Sequence, residues 1–205
     1  MEYSFFSLLD LGASMLLATA AAFRAARYGH HFTGSMALGC LAGLVGPSVR
    51  DLLLSYGHLA VLSDGGYLAA AVGGGLLGSA AARFLKQGFP FFPWLEGASL
   101  GLATAVGAAK ASILGLGVIG CILVGMAAGT FSGLVRDLCL GETPLALEAD
   151  FYVTTCAMTA MLLIALRVTL FPVEVQIVIA AWVGLLLRLY GHRRRQRLGE
   201  TESVE

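Results

Sequence analysis

Gly46-Pro47-Ser48-Val49-Arg50-Asp51-Leu52-Leu53-Leu54 and Ser132-Gly133-Leu134-Val135-Arg136-Asp137-Leu138-Cys139-Leu140 close two apolar stretches with the same arginine–aspartate pair. The two pairs are 136 − 50 = 86 positions apart, and the surrounding chain keeps that offset. Asp10 falls on Glu96, Arg24 on Lys110 and Asp64 on Asp150, while Gly29, Gly34, Gly39 and Gly43 fall on Gly115, Gly120, Gly125 and Gly129. No gap is needed. The pattern predicts a tandem repeat in which each copy carries charge inside an apolar segment. Charge there is costly in a membrane and points to a transport pathway.

Composition agrees. Of the 205 residues, 58% are hydrophobic and 13% charged, about half the charged share of a soluble domain. At about 20 residues per crossing, six to eight spans fill the chain. The spacing predicts seven, at 5–23, 32–54, 67–84, 94–114, 118–140, 151–166 and 173–190. The alternation of a barrel strand is absent, so the fold class expected is all-α integral membrane. Residues 1–88 form the first three-helix repeat, 89–170 the second, 171–190 a seventh helix and 191–205 a cytoplasmic tail. Three spans is an odd number, so the second repeat enters the membrane from the opposite side and the two are inverted.

Lysines and arginines orient the chain. With the N-terminus outside, the inner side receives Arg24, Arg27, Arg83, Lys86, Arg136, Arg188, Arg193, Arg194, Arg195 and Arg197, and the outer side Arg50, Lys110 and Arg167. Ten against three places the N-terminus outside and the C-terminus in the cytoplasm, with the protein multi-pass in the inner (plasma) membrane. The start does not read as a signal peptide, because Met1-Glu2 is not basic and Asp10 interrupts the apolar run. Cys40, Cys121, Cys139 and Cys156 all fall inside expected spans, where cysteine acts as a small apolar residue. No metal ligand set, cofactor or nucleic-acid surface is expected.

Glycines at four-residue spacing let helices approach closely in lipid. Gly39 and Gly43 in the second span, and Gly125 and Gly129 in the fifth, have that spacing. Pro47 removes a backbone donor, so a kink or unwinding is expected in the second helix, with Gly46 and Ser48 beside it. Ser132 and Gly133 allow a bend in the fifth without forcing one. The two pairs, Arg50-Asp51 and Arg136-Asp137, are adjacent in sequence, so their side chains diverge by about 100° around a helix. Each is expected to pair with another helix; Arg50 with Asp137 and Arg136 with Asp51 are among the candidates. Two readings stay open for the pairs: a polar lining, or anchors snorkelling to the interface. Two stay open for Lys110: snorkelling outward, or setting the electrostatics of a pore mouth. Asp10 and Glu96, a turn into their helices, are expected to have a structural role, capping the helix N-termini or pairing with another group.

The order of acidic residue, small-residue helix, Gly-rich helix ending in Arg-Asp and a further Gly- or Ala-rich helix resembles the prokaryotic trimeric intracellular cation (TRIC) channels and the related bacterial glycine-transporter-like membrane domains. Val49-Arg50-Asp51, Val135-Arg136-Asp137-Leu138, the Gly107–Ala111 run, Glu148-x-Asp150-Phe151-Tyr152 and Pro172-Val173-Glu174 carry the resemblance. It implies a homotrimer in the lipid bilayer. Each subunit would conduct monovalent cations, chiefly potassium, through its own pore, lined by kinked second and fifth helices. Where those proteins tend to have Gly-Gly-Gly, this chain has Val45-Gly46-Pro47 and Phe131-Ser132-Gly133. The other class that the repeats support is a secondary transporter of a small zwitterion such as glycine. An enzyme is not expected, since no nucleophile–base pair or phosphate-binding loop is found.

Overall fold

The computed structural model describes residues 5–55, 59–85, 91–148 and 150–202. The described residues are helical or in short connections: α1 Phe5–Arg27, α2 Phe32–Leu53, α3 Ala60–Ser63, α4 Gly65–Phe84, α5 Phe91–Ile113, α6 Val118–Cys139, α7 Leu145–Glu148, α8 Asp150–Leu166 and α9 Val173–Glu202. Lys86, His58, the expected boundary at 88 and the last three residues lie outside the described part. Five helices (α1, α2, α4, α6 and the first part of α9) are long and apolar enough to cross a membrane. The 23-residue α5 carries Glu96 and Lys110, and α8 is apolar but 17 residues long.

Helices close their own backbone hydrogen bonds, which apolar surroundings require. Their ends are closed locally. At the end of α1, Gly29 has φ +87°, and His30 N–H donates to Ala25 O at 3.3 Å. At the end of α5, Gly115 has φ +80°, and Leu116 N–H donates to Ala111 O at 3.1 Å. Each is a left-handed stop that returns orphan carbonyls to donors. The other positive φ values among the described residues are at Ser55 (49°) and Gly141 (73°), after α2 and α6. The four fall in two pairs 86 positions apart: 115 − 29 and 141 − 55.

α1, α2 and α4 pack on one another, as do α5, α6 and α8; α2 against α6 and α1 against α5 join the two groups, and α9 lies on α5 and α8. Glycines allow the close crossings. A Cβ at Gly39 would stand 2.7 Å from Ala22 Cβ, and one at Gly43 2.9 Å from Ser14 O, both on α1. Cβ atoms at Gly125 and Gly129 would meet Thr104, Ala108 and the Leu100 carbonyl of α5 in the same way.

The structure refines two expectations. α2 is helical without a break through Pro47, so the unwinding expected as one alternative to a kink does not occur, and α6 is helical through Gly133, where a bend was allowed but not required. Pro47 supplies no N–H to Gly43 O, four residues back, but that carbonyl accepts from Ser14 Oγ of α1 at 3.0 Å. One residue earlier, Ala42 O accepts from Ser132 Oγ of α6 at 2.6 Å. Side chains from two neighbouring helices satisfy this stretch, so it does not unwind. Likewise α9 does not stop at Tyr190: Gly191 lies against Phe151, and Arg194 stands over the Phe151 ring at 5.2 Å.

Candidate functional site

The charged residues inside the bundle form two clusters. α1 contributes Asp10 to one and Arg24 to the other; 14 residues of helix separate them, about 21 Å. α5 contributes Glu96 and Lys110, also 14 residues apart, in the opposite sense. The clusters therefore sit at opposite ends of the bundle.

In the first, Arg50 Nε donates to Asp51 Oδ1 at 2.9 Å, and Arg50 Nη1 to Asp10 Oδ1 at 2.5 Å. Tyr67 Oη at the start of α4 donates to Asp10 Oδ2 at 2.6 Å. Lys110 Nζ reaches across from α5 to Asp51 Oδ1 at 2.9 Å. The remaining Asp51 oxygen accepts the Ala60 N–H that opens α3, at 3.0 Å.

The second cluster follows the same plan. Arg136 Nε donates to Asp137 Oδ1 at 2.7 Å, and Arg136 Nη2 to Glu96 Oε1 at 2.9 Å. Arg24 reaches across from α1, its Nη1 at 3.4 Å from Asp137 Oδ1. Asp137 Oδ2 accepts the Leu145 N–H that opens α7, at 2.9 Å. Two members have no counterpart in the first cluster. Arg188 of α9 donates to Glu96 Oε2 at 2.7 Å, and Glu142 accepts from Arg24 Nη2 at 2.5 Å. Aromatic rings cover the guanidiniums: Phe92 lies 5.2 Å from Arg24 and 5.4 Å from Arg136, and Tyr152 4.8 Å from Arg188.

These contacts change the reading of the sequence in four ways. Arg50 and Arg136 are 2% and 3% exposed, so they do not snorkel. Each arginine bridges its own neighbouring aspartate, which the 100° divergence argued against, because a guanidinium is long enough to fold back along the helix. The candidate pairs Arg50–Asp137 and Arg136–Asp51 do not form; the crossing between halves is made by Lys110 to Asp51 and Arg24 to Asp137. Of the two structural roles expected for Asp10 and Glu96, pairing is the one found: they are the carboxylates that hold the two arginines. Among the described residues both clusters balance, with two cations on two carboxylates in the first and three on three in the second.

Tyr67, Arg188 and Glu142 are the members that the sequence reading did not single out. A tyrosine in the first turn of an apolar helix was a usable signal for Tyr67. Arg188 was counted only among the inner-side cations, and Glu142 carried no reading.

Between the clusters, α2 and α6 touch closely. A Cβ at Gly46 would stand 2.8 Å from Ala128 O; α6 packs as closely on α8, where a Cβ at Gly133 would collide with Tyr152 Oη. Ser48 and Thr130 hydroxyls donate to carbonyls of their own helices. A cavity of about 10 Å³ lies beside the second cluster, lined by Leu17, Glu96, Ser99, Ser132, Arg136 and Tyr152 among others. That is room for about one water, against polar walls.

Comparison with known proteins places this arrangement. The family model described as "Glycine transporter" matches residues 7–83 and 93–168. A UPF0126 membrane protein of Deinococcus radiodurans is 31% identical over 136 residues, covering 66% of this chain and 63% of that protein's length. The UPF0126 inner membrane protein YadS of Escherichia coli K12 is 25% identical over 168 residues, covering 80% of this chain and 81% of its own. Among solved structures, the TRIC trimeric intracellular cation channel orthologue from Rhodobacter sphaeroides superposes with a TM-score of 0.82 at 28% identity, over 91% of this chain and 96% of that one. A prokaryotic TRIC channel solved in 0.5 M KCl gives 0.84 at 20% identity, over 93% and 96%. This chain is a multi-pass, all-helical membrane protein of the family described as "Glycine transporter", and it belongs with the prokaryotic TRIC proteins, whose fold it has.

Proposed function

We propose that the protein is a channel for monovalent cations, chiefly potassium. The path in each subunit would run between α2 and α6, from one balanced cluster to the other. The observation that carries this reading is the balance of buried charge at both ends among the described residues. Arginines facing a path would repel cations. Here Arg50, Arg136 and Arg24 are each held by two carboxylate-bearing residues and Arg188 by one, which leaves carbonyls and hydroxyls along α2 and α6 as ligands for a partly dehydrated ion. The likeness to a solved cation channel at 28% identity supports the same reading. We further infer an inverted pair of three-helix repeats, 1–88 and 89–170, with the 86-residue offset of matched contacts in its favour. A seventh helix, a homotrimer and an N-outside orientation in the inner membrane complete the proposal.

A second reading, a carrier of a small zwitterion, is favoured by the family description alone. One experiment separates the two. Purified protein in liposomes is assayed for potassium efflux and for glycine uptake. Potassium flux without saturable glycine uptake supports the channel; saturable glycine uptake without potassium flux replaces it by the carrier.

A further inference from the structure

The four residues Arg24, Glu96, Arg136 and Asp137 of the second cluster match Lys110, Asp10, Arg50 and Asp51 of the first, type for type and partner for partner. What is left over is one cation, Arg188, which α9 brings from outside the repeat, and one carboxylate, Glu142. Counting 86 positions back from Glu142 reaches Tyr56, which carries no charge. The extra acid thus occurs only at the end that receives the extra base.

Its position is built by the backbone. Gly141 at φ +73° reverses the chain after α6, Gly141 N–H donates to Leu138 O at 3.1 Å, and Glu142 N–H donates to Asp137 O at 3.0 Å. This left-handed stop folds the residue after the glycine back over the helix end. The Glu142 carboxylate then meets Arg24 Nη2. Its side chain is 22% exposed and that of Arg24 14%, whereas Asp137 is 1% exposed. From solvent inward the contacts run Glu142, Arg24, Asp137, Arg136 and Glu96, and the last two line the cavity. Glu142 is the outermost link of that chain.

We propose that Glu142 is a specificity-determining residue. It cancels the charge that Arg188 adds to the cluster and so keeps this mouth of the path open to cations and closed to anions. The inference rests on the channel reading. Without Glu142 the cluster carries one uncompensated positive charge at the mouth, within a Debye length of any passing ion. Arg27 and Arg83 belong to the same end of the bundle: they sit in the last turns of α1 and α4, helices that carry Asp10 and Tyr67 at their other ends. Neither replaces the lost carboxylate.

The test is recording in planar bilayers under a potassium chloride gradient. Glu142→Gln should lower the potassium-to-chloride permeability ratio severalfold, and its current should rectify because only one mouth is altered. Glu142→Asp should keep the native ratio. The double variant Arg24→Gln/Glu142→Gln restores the charge balance and should restore the ratio. A native reversal potential and a linear current–voltage relation in Glu142→Gln would overturn the proposal. So would a double variant no more selective than Glu142→Gln, with both single variants raising open probability, since that pattern belongs to a latch. No current from the native protein would instead sink the channel reading and this inference with it.

Discussion

The two charged clusters share a plan and differ in redundancy. At one end Asp10 is held by Arg50 and by the neutral hydroxyl of Tyr67. At the other, Glu96 is held by two guanidiniums, from α6 and α9. Asp51 takes one cation from across the bundle; Asp137 takes one whose charge is shared with Glu142. The lesson is that α9 does more than cover the bundle. It supplies charge to one half only, so the halves should respond unequally to the same substitution.

Removing the central arginine breaks this comparison most forcefully. Arg50→Met leaves Asp10 with a hydroxyl and no cation, and should cost about 3–5 kcal/mol, the loss expected when one partner of a buried pair is deleted. Arg136→Met leaves Glu96 on Arg188 and Asp137 on Arg24, and should cost about half as much by the same rule. Unfolding in detergent, followed by circular dichroism, checks both; equal losses would remove the asymmetry.

A smaller effect probes how α2 stays helical. Ser14→Ala strands the Gly43 carbonyl and should cost about 1–3 kcal/mol. With Pro47→Ala in the same chain, an alanine N–H can reach that carbonyl, and Ser14→Ala should cost almost nothing. A double-mutant cycle measures the coupling. Additive losses would show that the two positions act independently.

The smallest effect compares the turns after α2 and α6. Ser55 holds the left-handed conformation (φ 49°) that Gly141 holds in the other half. Ser55→Gly should stabilise by on the order of 0.5–1 kcal/mol, because a side chain is disfavoured there. Gly141→Ser should destabilise by a similar amount. A shift in the melting midpoint reads both; a destabilised Ser55→Gly would mean that the hydroxyl has a role the turn geometry does not show.

Much of this was legible in the chain because the matched positions keep one offset of 86 residues. Helix positions followed from apolar run length, and Arg50, Asp51, Arg136 and Asp137 stood out as charges where charge is costly. Pairing was not legible. A helical wheel treats a side chain as a point on a circle, but the arginine side chain spans more than one turn, so adjacent Arg and Asp can meet. The effect of Pro47 was also hidden, since whether a freed carbonyl opens the helix depends on what a neighbouring helix offers. Ser14, 33 residues earlier, offers a hydroxyl. Arg188 was out of reach for the same reason: the position 86 residues before it is Leu102, which carries no charge, and only packing on α5 brings it to Glu96.

The central claim is that ions pass between α2 and α6. Ser132 marks that contact, with its hydroxyl on Ala42 O of the facing helix. The direct measurement is single-channel current from Ser132→Cys, in a chain whose four native cysteines are replaced by serine or alanine. A small cationic methanethiosulfonate is then added. The account predicts that current present before the reagent is blocked after it, and that Ser132 itself in the same background is unaffected. Current that continues unchanged through a thiol shown by mass to be fully modified would contradict a path along these two helices.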